Sequence, residues 1–198
     1  EISILKKIFH NKKIIIKGDN EIKLLLKRNQ PTIFFGIHQS NWEILVPLID
    51  RLGFPLGAIY RHINNKYIDK IIFRKRTGSL KSNKSFYTPK GKKSAKDILE
   101  AIKLKKNVFV LIDQKDSAGE LVNFFNYKVK AQTGFIKIAK KFNMALVPVQ
   151  NIRNDKTFTV IFHKHFLIND KNILEKEVMG KIHNIVETWI AENPSPWF

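Results

Sequence analysis

The 198 residues contain no cysteine, which excludes disulfides and thiolate metal sites and fits a reducing compartment. No Gly-rich phosphate loop, Gly-x-Ser-x-Gly elbow or zinc-ligand spacing is present, so three common routes to a function fall away. No apolar run approaches the roughly 18 residues of a transmembrane helix, and no signal peptide opens the chain. Acidic residues are scarce: 17 Asp and Glu stand against 36 Lys and Arg, a net charge of +19. An excess of that size attracts anionic partners such as phospholipid head groups, a phosphorylated glycolipid, an acidic carrier protein or nucleic acid. The abundance of Lys, Asn and Ile is also what AT-rich coding produces without selection. The densest basic clusters, Lys90-Gly91-Lys92-Lys93 and Lys103-Leu104-Lys105-Lys106, read first as solvated faces. The second lies where a helix ends and cations are favoured. The basic residues are otherwise dispersed and carry no nucleic-acid recognition motif, so no nucleic-acid partner is expected.

Elements alternate along the chain. Strand-like runs occupy 14–17, 32–37, 56–60, 85–87, 107–112, 145–151 and 157–165, and helical patterns 21–28, 41–52, 66–76, 94–105, 133–142 and 174–192. That alternation predicts one α/β domain, 1–198, with a mainly parallel or mixed central sheet flanked by helices. In such a fold functional residues gather at the carboxyl ends of the strands. His38, Arg61 and Asp113 each follow a strand directly.

The densest signal is Gly36-Ile37-His38-Gln39-Ser40-Asn41-Trp42-Glu43, placed directly after the apolar run Thr32-Ile33-Phe34-Phe35. A strand that delivers a histidine to its tip, with a carboxylate close by, can mount a general base. Within one helix, five residues turn through about 500° and leave the two side chains roughly 140° apart. His38 and Glu43 can therefore meet if His38 precedes the helix and Glu43 lies in its first turn. Ser40-x-x-Glu43 fits a capping box for such a start. Glu43 would then hold the imidazole in one tautomer and stabilise its cation. Equally, Glu43 serves as a cap alone and His38 as a satisfied strand-end histidine.

These residues resemble the lipid A late acyltransferases, the lauroyl/myristoyl group, which carry Gly-x-His-x-x-Asn-Trp-Glu after a strand. The wider lysophospholipid and glycerol-phosphate acyltransferases share the His-x4-Asp/Glu core. The likeness continues in order through Tyr60-Arg61, Asn64, Asp69 and Arg74-x3-Gly78, then Asp113-Gln114, Val122-x-Phe124-Phe125, and Ala131-x-Thr133-Gly134. It closes with Asn193-Pro194 and Trp197-Phe198. Asn126 stands where the family has glycine, and the loop 116–121 is short. Family members usually carry an N-terminal membrane helix and a basic, aromatic tail. Neither falls within 1–198, so the expectation is a single acyltransferase domain without them.

The resemblance implies a glycerol-phosphate-acyltransferase-like fold and transfer of a fatty acyl chain to a hydroxyl of a lipid A precursor. His38 would be the base and Glu43 its orienter. Arg61 or Arg74 would bind phosphate or the developing oxyanion, with Asp113, Gln114 and Thr133 as further substrate-side residues. No cofactor is implied beyond an acyl carrier protein or coenzyme A thioester as co-substrate. The implied partners are that carrier protein, an anionic glycolipid and a membrane surface, at the cytoplasmic face of a bacterial inner membrane. Two alternatives stay open: another bacterial glycolipid or a lysophospholipid as acceptor, and a basic nucleic-acid-binding module.

Remaining residues read as structural. His163 and His165 share one strand face without a third ligand, so no metal is expected. His10, His62 and His183 have no evident partner. Trp42 reads as core packing, and Phe124-Phe125 as core or as an acyl-channel wall.

Overall fold

Among the described residues nine strands form: β1 (Ile14–Lys17), β2 (Thr32–Gly36), β3 (Leu56–Tyr60), β4 (Phe86–Pro89), β5 (Asn107–Leu111), β6 (Lys115–Phe124), β7 (Tyr127–Ala131), β8 (Ala145–Asn154) and β9 (Thr157–Phe162). The computed structural model describes residue 2, residues 5–11 and residues 13–197. Glu1 and the motif residue Phe198 lie outside these. Seven strands make one sheet in the order β1-β9-β8-β2-β5-β3-β4. Every pairing in it is parallel except β8 with β9.

The central strand is apolar throughout because it is covered on both faces. All five positions of β2 are buried, and its side chains alternate between two cores. Ile33 and Phe35 pack with α5 (Lys92–Lys103), α6 (Gly134–Phe142) and α7 (Glu175–Glu192). Phe34 packs with α1 (Leu5–His10), α2 (Asp19–Arg28) and α3 (Leu45–Arg51).

Chain direction explains that division. From β1 through β2 to β3 the chain steps one way across the sheet, and α2 and α3 cover one face. After β4 it turns back, and right-handed crossovers then put α5 and α6 on the other face. The hydrogen-bonded neighbours β2 and β5 therefore send their following connections to opposite faces. A crevice opens at such a switch point, beyond the carboxyl ends of the two strands.

Three local departures from the sequence reading matter for the site. The helix expected over 41–52 opens as a 3₁₀ turn, Trp42–Ile44, before α3 begins. Pro47 lacks the N–H that would bond the Glu43 carbonyl in an α-helix, which favours the tighter turn. No capping box forms either: Ser40 is left-handed at φ 54° and its hydroxyl is buried without a partner. The short loop expected at 116–121 is instead part of an antiparallel hairpin, β6–β7. Its two-residue turn is Phe125-Asn126, both at positive φ (47° and 65°), and asparagine tolerates that conformation where other side chains resist it.

Candidate active site

Parallel register brings the central pair together. Gly36 stands opposite Leu111 in the β2–β5 ladder, and Ile112 donates its N–H to the Gly36 carbonyl. Two residues beyond each register partner lie His38 and Asp113. The imidazole Nδ1 is 2.7 Å from Asp113 Oδ1, and the His38 backbone N–H donates to Oδ2 at 2.9 Å. The side chains are 11% and 2% exposed. Burial alone would raise the Asp113 pKa, but its bonds to His38, and one from Trp197, outweigh burial and hold it below the ordinary aspartate value. An ionised carboxylate can accept but not donate, so Nδ1 carries the hydrogen. In the neutral ring Nε2 then keeps its lone pair, 3.3 Å from the Gln114 amide nitrogen.

The expectation that Glu43 holds the imidazole is corrected by this geometry. Both Glu43 oxygens are taken by Arg76, with Nε at 3.2 and 3.0 Å and Nη2 at 2.5 Å. Arg76 also lies over the rings of Trp42 and Tyr60, at 5.5 and 5.9 Å from their centroids. Burial acts to lower the Arg76 pKa, and the Glu43 carboxylate more than reverses it. A bidentate, ring-stacked guanidinium is held as a fixed fork. Sequence proximity favoured Glu43 as the histidine's partner. Strand register supplied a carboxylate 75 residues away instead.

These groups open on one cavity of about 280 Å³. His38, Glu43, Arg61, Arg76, Lys90, Gln114 and Gln132 give it polar and cationic walls, while Val46, Ala58, Phe109 and Val110 give it an apolar lining. Trp42 faces this cavity rather than sitting wholly in the core, with its ring 5.0 Å from the His38 ring. Burial pushes the Tyr87 hydroxyl, on the same wall, well above its ordinary range.

Two expected substrate-side residues lie elsewhere. Arg74 is exposed on the outer side of α4 (Lys66–Thr77), and the arginine that reaches the cavity is Arg76, two residues on. Thr133 is buried and donates to Glu120 at 3.0 Å, so its neighbour Gln132 lines the cavity. Two of the three histidines without an evident partner gain local ones. His62 pairs with Asp69 at 2.7 Å and His183 with the Asn123 carbonyl at 2.8 Å. His163 and His165 lie beyond the end of β9 and do not share a partner: His163 meets Gln150 at 3.2 Å and His165 meets Glu21 at 2.5 Å.

The site has a brace that the sequence reading did not assign. Trp197 Nε1–H donates to Asp113 Oδ2 at 3.1 Å, and its ring packs 6.1 Å from that of Phe124. The Ser40 N–H donates to the Pro196 carbonyl at 2.8 Å, and the Gln39 amide donates to the Asn193 carbonyl at 3.0 Å. The Pro-x-x-Trp motif thus ties residues 193–197 onto the loop that carries His38. Trp197→Phe keeps the ring and removes the N–H. A hydrogen bond to a buried charge is worth about 1.5–3 kcal/mol. The variant should therefore lose about that much stability in urea titrations, and kcat should fall with little change in KM.

A histidine with a bare Nε2, backed by a buried carboxylate at a switch point and facing a half-apolar cavity, belongs to a proton-moving transferase or hydrolase site. The architecture is shared with a solved structure, the 1-acyl-sn-glycerophosphate (LPA) acyltransferase PlsC from Thermotoga maritima. The TM-score is 0.57 at 15% identity, over 98% of this chain and 80% of that one. At that identity the likeness establishes the fold. The sequence itself gives the family: the chain belongs to the bacterial lipid A biosynthesis acyltransferases, whose family profile matches residues 2–198. It is an acyltransferase. Comparison with curated protein sequences finds no significant match. Among the described residues, no helix is long and apolar enough to cross a membrane.

Proposed function

We propose that the protein moves a fatty acyl chain from an acyl thioester, on a carrier protein or coenzyme A, to a hydroxyl of a lipid A precursor. The reaction would take place at the cytoplasmic face of a bacterial inner membrane. The observation that carries this reading is His38, with Nδ1 on buried Asp113 and Nε2 at the cavity. Nε2 takes the acceptor hydroxyl's proton as that oxygen attacks the thioester carbonyl. The tetrahedral adduct collapses with cleavage of the C–S bond, giving an ester. The imidazolium returns its proton to the departing thiolate. Asp113 stabilises the imidazolium without taking the proton.

Arg76 supports the same reading from the other wall. Its Nε and Nη2 are occupied by Glu43, so the guanidinium is held in place to meet a developing oxyanion or a phosphate. Glu43 then acts by positioning Arg76. Arg61 and Lys90 add positive charge where an anionic acceptor would enter, and Val46, Ala58 and Phe109 offer an apolar wall for the acyl chain. The acceptor of the structural neighbour, a 1-acyl-sn-glycerophosphate, favours one second reading, a lysophospholipid acceptor.

The test is product analysis by mass spectrometry. Acyl-carrier and coenzyme A thioesters are each offered with a lipid A precursor and with a lysophospholipid in detergent micelles. The expected product is the O-acylated lipid A precursor. Product on the lysophospholipid alone would move the acceptor to the second reading. Failure of every pairing with folded protein would sink the thioester-to-lipid proposal.

A further inference from the structure

The two faces of α4 are used differently. Its inner face packs on the domain: Phe73 packs on Tyr60 and Arg76 grips Glu43 at the cavity wall, while Asp69 accepts from the Ile63 N–H and bonds His62 in the loop before the helix. Its outer face has no such use. Tyr67, Ile68 and Ile71 are 84%, 48% and 54% exposed, and Ile63 just before the helix is 38% exposed. Lys66, Lys70 and Lys75 are exposed around that apolar strip. The one acid of the helix, Asp69, is turned inward and only 15% exposed.

An exposed apolar strip with cationic margins and no carboxylate of its own matches the interface of an anionic bilayer. There the apolar side chains enter the headgroup–acyl boundary and the lysines meet the lipid phosphates. The 12 residues of α4 reach about 18 Å, too short to cross a bilayer but suited to lying in its plane. We propose that α4 is an in-plane docking helix for an anionic phospholipid surface. Charge complementarity selects this occupant. Continuity with the site supports it, because Tyr60 and Arg61 of the cavity wall lead directly into the loop before α4. The purpose of such docking rests on the reading of the acceptor as a membrane lipid, but its test is binding without turnover.

The absence of cysteine makes site-specific labelling direct. Tyr67→Cys carries an environment-sensitive fluorophore, and Lys171→Cys serves as control. Lys171 precedes α7 at the end of that helix far from Gln39. With phosphatidylglycerol vesicles the label at 67 should shift to the blue and be quenched by spin-labelled lipid, and the control should do neither. Phosphatidylcholine vesicles or high salt should abolish the shift. Each lysine near an anionic surface contributes about fivefold to binding. Lys66→Gln with Lys70→Gln and Lys75→Gln should therefore lower vesicle sedimentation by tenfold or more.

Three outcomes would overturn the inference: no vesicle binding, binding that leaves the label at 67 in water, or a saturable shift with acyl carrier protein and none with vesicles. The last would make this face a carrier site. Tyr67→Ser with Ile71→Ser should keep its activity on detergent-dispersed acceptor. A wild-type chain that docks yet transfers no acyl group would count against the proposed reaction and leave the docking intact.

Discussion

His38→Ala and Asp113→Asn should each reduce acyl transfer by about 10⁴-fold, and the double variant should be scarcely worse than either. In Asp113→Asn the amide oxygen would be held by the two donors that meet Oδ2, the His38 N–H and the Trp197 indole. The amide nitrogen would then face Nδ1 and donate to it, so the imidazole would favour the tautomer with its hydrogen on Nε2. That nitrogen could no longer take a proton from the acceptor. Because the pair acts as one device, losses that multiply in the double variant would show that the residues work separately. An Asp113→Asn enzyme within tenfold of wild type would remove Asp113 from the mechanism. Stability supplies a second readout. The folded-state pKa of Asp113 lies below the ordinary value, so the unfolded chain takes up its proton more readily. The contribution is complete above the ordinary aspartate value and is lost as pH falls through the folded one. Urea titrations between pH 5 and 2 should show a shallower loss for Asp113→Asn than for wild type.

Arg76→Met should destabilise the fold by about 3–5 kcal/mol, since it leaves Glu43 desolvated and unpaired. For a chain of this size that corresponds to a fall in Tm on the order of 10 °C. Glu43→Gln combined with Arg76→Met should recover most of the loss, because the unpaired charge is gone. Activity should not recover, since the guanidinium at the cavity wall is still absent. Recovery of stability without activity separates the structural part of the pair from its chemical part. Full recovery of activity in the double variant would show that Arg76 does nothing beyond satisfying Glu43. Simple addition of the two stability losses would mean that the pair is not coupled.

The alternating architecture was legible because buried parallel strands leave unbroken apolar runs such as Thr32–Gly36. The β6–β7 hairpin was not. Lys115–Phe124 is largely polar, with Val122 as its one buried position, so neither a continuous run nor a clean alternation marks it. His38 was visible as a site residue from its place after β2. Its partner was ambiguous, because local spacing favours Glu43 and no local signal encodes the register that sets Gly36 against Leu111. Arg74 matched the family pattern, yet the turn of α4 decides which arginine faces inward, and that is Arg76. Trp197 lay within a recognised motif. Its bond to Asp113 spans 84 residues and could be found in three dimensions alone.

That last contact bears on how the enzyme comes off the ribosome. Strands β2 and β5 leave the exit tunnel early and can pair, carrying His38 and Asp113 with them. Residues 193–197 follow much later, and until they arrive Asp113 lacks its indole donor and the His38 loop lacks its backbone clamp. A nascent chain can thus own its sheet before it owns a tightened site. Vectorial synthesis delays full chemical competence until residues 193–197 have been made.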